Sequence, residues 1–494
     1  MQVVEEVINA AHRIGLFVRV CVSDMAAANQ DMWRTVGVCS TKSTLQHYIQ
    51  HPSSPQHRLY FMADSPHLLK NVRNCLLNQS IILPASTVSS FHLPTDHVSL
   101  DHVHNLITIQ DDKQLKLTPS LTKAHVSPGQ YQKMRVNMAA AVLSHTSASA
   151  LQLCVSLNFL HNDALTTAWF FDTINNWFDI MNARITKAAM FRSSTDKVNT
   201  LKQVLDVVCN MKFSGRNGWK PIQTGIQLST ATVLDLYNDL VLHGKYSSLM
   251  TGRLTQDSVE NLFSCIRGRG DSHPSPVHFR HNLRIISLSQ YMQTSPWSCY
   301  SEDDGVYFLD FLKAKSVTAE ASDEELLFLE NSFTLDSSED MLEANVCYLL
   351  AGWSVYKQKE KLHGCTDCLA TICGQLTDVP ADCPEAQLTM LKSYGGLSYP
   401  SPLVYSAVQV AEAIFKCCQS QLASCTDIET KLNDEFSQRF CFSGLPSCHN
   451  VLSDVVARYF RLRLHVYGKW LSEQHKAYGV QHGSRSAFCR TKIH

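Results

Sequence analysis

Apolar residues recur at helical spacing from the start of the chain, at Val3, Val4, Val7, Ile8 and Ala11, until Gly15 interrupts them. The next run, LFVRVCVSD, predicts a buried strand over residues 16–23, and a helix follows over 26–36. RLYFMA predicts a second strand at 58–63, after a loop at 51–58 (HPSSPQHR), and HLLKNVRNCLL begins a helix near 66. Strands alternating with helices indicate an α/β layer. A layer that opens on a helix and then a strand is expected to lack the opening strands of its sheet. Residues 80–125 are mixed and polar, and 128–213 read as helical throughout. Further helices are predicted over 228–243, 254–267 and 277–292.

With 494 residues the chain has room for two to four domains, and 45% hydrophobic against 18% charged residues is a globular balance. The formal net charge of −1 gives no whole-molecule attraction to nucleic acid, so any such contact needs local basic surface. The 18 cysteines occur without an apolar leader, which points to a reducing compartment and mostly free, buried thiols. No run approaches ~18 uninterrupted apolar residues, so no membrane span is expected. Neither GxxxxGK[ST] nor GxGxxG occurs, which argues against a P-loop or a Rossmann site. Residues 301–345 are acidic (SEDDG, ASDEELLFLE, LDSSED) and read as a linker, while 346–494 are cysteine-rich and helical.

Three carboxylate positions stand out. Asp24 ends the first strand, at the sheet edge where α/β sites lie, although an Asp before a helix is also a natural N-cap. Asp64 ends the second strand, with Pro66, His67, Lys70 and Arg73 following on one helix start. Asp257 and Glu260, three apart, share a helix side next to the apolar stripe Val259, Leu262, Phe263 and Ile266, and Thr255 offers a cap. Acids from two strand ends and a later helix can hold two divalent metals ~4 Å apart and activate both oxygens of a phosphodiester displacement. Mg²⁺ prefers such oxygen ligands.

The wording of several segments resembles the P-element transposases and their THAP-domain relatives. These are VCVSDMAAANQ, ADSPHLLKNVRN, LTPSLTKAHVSPGQYQKMRVNMAAAVLSH, TAWFFDTINNWFDIMNAR and LTGRLTQDSVENLFSCIRGRGDSHPSPVHFRHNLR, in the family's order over residues 1–290. The resemblance implies an α/β RNase H-like core, incomplete at its N-terminus, interrupted by a mainly α-helical GTP-binding insertion. It places the core in 1–91 and 227–300, the insertion in 92–226, the acidic linker in 301–345 and a helical cysteine-rich region in 346–494. It implies an Asp, Asp, Glu set that coordinates Mg²⁺ for DNA cleavage and strand transfer. Asp24 falls at the second family aspartate, Glu260 at the closing glutamate, Asp257 beside it, and Asp64 with His67 at a supporting Asp-x-x-His element. Asp172 and Asn175 fall where guanine recognition is implied, and Lys116 is a further candidate contact. For Asp172 and Asn175 the residues alone favour a polar face on an aromatic helix. DNA at transposon ends, guanine nucleotide and a homo-oligomer on DNA are the implied partners, without a membrane, in the nucleus.

The first family aspartate and the zinc-binding THAP module have no counterpart near this N-terminus. The expectation is therefore a fragment or remnant without strand-transfer activity, because removing one member of a catalytic unit removes most of its effect. The competing reading is a domesticated, noncatalytic GTP- or DNA-binding protein. In the tail, YLLAGWSVYK precedes a C-x-x-C pair, Cys365 and Cys368, and SYGGLSYPS follows it, an order similar to that of related transposon proteins. Cys448 and His449 lie far downstream. Zinc binds such a set, but adjacent Cys and His seldom share one tetrahedral ion, so His465 is an alternative ligand and free core thiols are the alternative reading. The basic helix ARYFRLRLHVYGKW offers Arg458, Arg461, Arg463 and Lys469 either to DNA phosphates or to solvent.

Overall fold

The computed structural model describes residues 2–215, 218–269, 273–292, 340–374, 383–419, 422, 427–440, 446 and 448–481. The expected acidic linker lies outside the described residues as far as 339. Two compact units emerge, Met1–Ile109 with Ser120–Ser298, and Gln110–Pro119 with Cys299–His494.

In the first unit, α1 (Gln2–Arg13) ends before Gly15, whose φ of +85° is a conformation that glycine adopts without strain. Next come β1 (Val20–Ser23), α2 (Ala27–Thr35), β2 (Tyr48–His51), β3 (Ser54–Ala63) and α3 (Ser65–Leu76). The strands form one sheet in the order β1-β3-β2, with β1 parallel and β2 antiparallel to β3. The β1 ladder is shorter than the predicted 16–23, its first bond running from Tyr60 N–H to the Arg19 carbonyl at 2.9 Å. β3 is longer than predicted and takes in most of the expected loop at 51–58. A register shift at Gln50/His51 absorbs the residues around Pro55, which has no N–H to give the ladder.

Residues Leu59, Tyr60, Phe61, Met62 and Ala63 are all 0% exposed, so the C-terminal half of β3 is buried on both faces. The chain then forms α4 (Asp101–Ile109), α5 (Val136–Val142), α6 (His145–Ser156), α7 (Ala164–Met181) and α8 (Thr195–Asn210) before α9 (Pro221–Tyr237) returns to the sheet. Helix α9 begins earlier than the predicted 228 because Pro221 is pre-organised for a first helical turn. It is tied to the strand backbone by hydroxyls: Ser229 Oγ donates to the Ala63 carbonyl (2.8 Å) and Thr232 Oγ1 to that of Phe61 (2.9 Å).

The helical reading of 128–213 is interrupted by turns between the helices and by two short strands. Met190–Phe191 pairs with Ser248–Leu249, and Lys212–Phe213 joins a small sheet with Ile81–Ile82 and His97–Val98. Val136–Ser156 is apolar and long enough to cross a membrane, but it is split between α5 and α6 and 67% of its apolar window is buried in the protein, as in a core hairpin. The unit closes with α10 (Asp257–Arg267) and α11 (Pro276–Met292). Of the expected apolar stripe on α10, Ile266 alone is buried. Val259 and Phe263 are exposed, and Phe263 meets Phe279 of α11 at a ring separation of 6.1 Å.

The second unit is helical, with α12 (Met341–Lys359), α13 (Thr366–Ile372), α14 (Pro402–Cys418), α15 (Ile428–Arg439) and α16 (Val451–Gln481). Its interior holds a buried polar chain. Arg463, 0% exposed, donates to Glu412 at 3.1 and 2.8 Å and to Gln114 Oε1 at 2.6 Å, and its guanidinium lies 4.3 Å from the Phe415 ring centre. Tyr459 donates to the same Glu412 at 2.8 Å. Arg463 is therefore not available to DNA phosphates, correcting that expectation for one of four basic residues. Arg461 bonds Glu429, and Lys469 is exposed.

Candidate functional site

Ser23 of β1 stands opposite Ala63 of β3, so the two strands deliver Asp24 and Asp64 side by side at their carboxyl ends. Asp64 N–H donates to the Ser23 carbonyl at 2.9 Å. Asp24 does not cap α2. Its Oδ1 accepts from Ala26 N–H (2.9 Å) and Asn29 Nδ2 (2.7 Å) in a turn before the helix, and Ala26 holds the cap position.

Asp64 is 1% exposed and does cap α3. Its Oδ2 accepts from His67 N–H at 3.1 Å and meets His67 Nδ1 at 2.6 Å. Its other oxygen accepts from Gln256 N–H at 2.7 Å, so one buried carboxylate also satisfies the start of α10. The expected Thr255 cap is not made, because Thr255 Oγ1 turns back to the Gly252 carbonyl at 3.1 Å.

His67 bridges from Asp64 to the next carboxylate, its Nε2 lying 3.5 Å from Glu260 Oε1. The Asp64 hydrogen bond pushes the His67 pKa up. Asp257 faces elsewhere and pairs with Arg184. Lys70, one turn after His67, is buried, and burial pulls its ammonium pKa down against the opposing charges of Glu260, Asp64 and Asp24. Three of the predicted acids therefore share one electrostatic neighbourhood, with Lys70 as its built-in cation. Sequence spacing flagged Lys70 on the helix start but not this role, and it gave no sign of the Gln256 amide, whose part is set by the backbone.

On α7, Asp172 Oδ1 meets His145 Nδ1 at 2.6 Å, and Asn175 Nδ2 donates to Asp179 at 2.9 Å. Burial raises the Asp179 pKa. His145 and Asp179 were not singled out from sequence, where the signal is limited to i+4 spacing for Asp179 and a polar break (SHTS) for His145. Lys116 stands on Gln110–Pro119, the segment grouped with the C-terminal unit rather than with α7.

In the second unit Cys365, Cys368, Cys448 and His449 come together, one ligand atom from each lying within 4.8 Å of every other. Cys448 Sγ is 3.7 Å from Cys365 Sγ and 3.2 Å from Cys368 Sγ, and His449 Nδ1 is 3.3 Å from Cys368 Sγ. His449 rather than His465 is thus the histidine in this group.

A family model described as the TNP-like, GTP-binding insertion domain matches residues 66–194, overlapping the expected insertion at 92–226. A second, the C-terminal domain of DNA transposase THAP9, matches residues 336–469. The chain is 27% identical over 293 residues to the Transposable element P transposase of Drosophila melanogaster, an alignment covering 57% of this chain and 37% of that protein. It is 23% identical over 435 residues to DNA transposase THAP9 of Homo sapiens, covering 82% and 46%. The chain thus spans less than half the length of either curated relative. Among solved structures it shares its fold with a chain of the Drosophila P element transposase strand transfer complex, at a TM-score of 0.53 and 24% identity, covering 59% of this chain and 64% of that one. Its two domain matches and its curated relatives support a place for the chain in the P-element/THAP transposase family.

Proposed function

We propose that the first unit is built on an RNase H-like core and carries part of a transposase metal site, with Asp24 and Glu260 as Mg²⁺ ligands and Asp64 with His67 as their support. The observation that carries this reading is the delivery of Asp24 and Asp64 from adjacent parallel strand ends, with Glu260 brought to them across His67. The donor set is all oxygen and Glu260 is 57% exposed, which suits a hard, partly hydrated cation. Mg²⁺ held there would neutralise charge developing on a DNA phosphodiester. Asp64 serves differently, since both of its oxygens are already committed to N–H donors and the imidazole. Two ligating carboxylates are few for a two-metal site, so the reading includes weak divalent binding and no strand transfer by these residues alone.

The test is calorimetric titration of Mn²⁺ and Mg²⁺ into the chain and into Glu260→Gln, together with a Mg²⁺-dependent nicking assay on transposon-end DNA. Weaker metal binding in the variant is expected. Equal binding overturns the site, and robust nicking by the unaltered chain overturns the noncatalytic part.

Lys70 favours a second reading, in which the acids are neutralised from within and the protein persists as a nuclear GTP- or DNA-binding protein derived from a transposase. There the polar face of α7 meets guanine: Asp172 accepts from the ring N–H and amine, and Asn175 reaches the opposite edge. Selective binding of GTP over ATP, lost in Asp172→Ala, supports it. Equal affinity for both nucleotides opposes it.

A further inference from the structure

The geometry points to a structural zinc ion held by Cys365, Cys368, Cys448 and His449, closed to substrate and separate from the acidic site. In a tetrahedral zinc site with Zn–S bonds of ~2.3 Å, neighbouring sulfurs sit roughly 3.7 Å apart, and a sulfur and a nitrogen slightly closer. The observed separations of 3.7, 3.2 and 3.3 Å lie at or somewhat below that edge length, and they are far beyond the ~2.05 Å of a disulfide. Among the described residues this is a group of three thiols and an imidazole with no acidic member, which selects zinc over magnesium or calcium.

The local backbone is built to present the ligands. His363 and Gly364 both adopt left-handed conformations, with φ of +43° and +87°, and reverse the chain just before Cys365. A left-handed histidine is uncommon and persists where the surroundings fix it. Cys365 then occupies the cap position of α13, and Cys368 sits within its first turn. The second pair lies in the turn that precedes α16, from which both neighbours can reach because His449 offers Nδ1, the ring nitrogen nearer the backbone. The adjacency that weighs against a Cys-His pair in sequence is thus accommodated by this turn.

The consequence is mechanical. An ion at this point fastens the start of α13 to the start of α16 and closes the long excursion through α14 and α15. A site with four protein ligands leaves no open position for water or substrate, so its contribution is to folding, through binding that the unfolded chain cannot match.

The test is metal analysis of the full chain, purified without added metal, followed by replacement of zinc with Co²⁺. One zinc per chain is expected, and the cobalt form should show the intense visible bands of a tetrahedral thiolate site with strong sulfur-to-metal charge transfer. Cys448→Ser should lose stoichiometric metal, and His465→Ala should retain it. Because Cys448→Ser can also fail to fold, His449→Cys provides the second variant, which should keep one metal and gain thiolate charge-transfer intensity. Folded protein with no stoichiometric zinc and no tetrahedral cobalt spectrum overturns the assignment, as does unchanged spectroscopy in His449→Cys. Neither result bears on Mg²⁺ at Glu260, so this assignment and the acidic site fail separately.

Discussion

His47 shows how a single side chain makes stability depend on pH. Its ring is almost wholly buried, Nε2 meets Asp235 at 3.1 Å, and Nδ1 has no hydrogen-bond partner. Burial lowers its pKa, and the Asp235 charge offsets this only in part. Folding therefore favours the neutral ring. That contribution is intact above the unfolded value of 6.5 and is lost as pH falls through the lowered folded value. Urea denaturation between pH ~7.5 and ~5 should show stability falling as His47 charges. His47→Gln should remove this part of the slope, at a cost of about 1 kcal/mol at neutral pH for the altered hydrogen bond. An unchanged slope would assign the acid sensitivity to other groups. Nothing in the sequence distinguishes His47 from the other 21 histidines of the 22, since its unpartnered nitrogen is created by tertiary packing.

At the scale of elements, the approach of α9 to α3 depends on Gly225. A Cβ there would lie 2.3 Å from Leu68 Cδ2 and 3.1 Å from Met25 Sδ, against residues that directly follow His67 and Asp24. Gly225→Ala gains up to ~1 kcal/mol of helix propensity, but overpacking costs ~1–3 kcal/mol. The variant should be less stable, and Leu68→Ala should absorb part of that loss because the added methyl enters the vacated space. A double-mutant cycle by urea denaturation checks this, and strict additivity would mean that Leu68 does not set the spacing. Strand and helix types near Asp24 and Asp64 were legible because β3 ends in a continuous apolar run at 59–63 and α3 opens with Asp-Ser-Pro. The ends of elements were less legible. Asp64 caps two helices at once, and the amide of Gln256 joins it from far along the chain, where no local pattern reports it. The burial of α10 was overestimated for a related reason. An amphipathic pattern shows which face can be covered, not whether a neighbour covers it.

For the whole molecule, division into two compact units predicts two unfolding transitions rather than one. Arg463→Ala strands the buried Glu412 carboxylate and should lower the transition of the second unit by about 3–5 kcal/mol. The paired change Arg463→Met with Glu412→Leu should lower it less, since no uncompensated charge remains. Gly225→Ala should act on the other transition, and scanning calorimetry of the full chain separates the two cases. If both variants move a single shared transition, the units unfold together. The latch formed by Asp64, His67 and Gln256 also has a consequence across generations. Asp64 holds a strand end and two helix starts, so selection for folding alone retains it. Glu260, on an exposed helix face, has no comparable structural burden, so only the proposed metal binding would retain it. In a lineage of inherited copies released from transposition, Glu260 should drift while Asp64 stays fixed. A surviving aspartate at position 64 therefore reports on the fold, and under the proposed metal site the residue at position 260 reports on the chemistry.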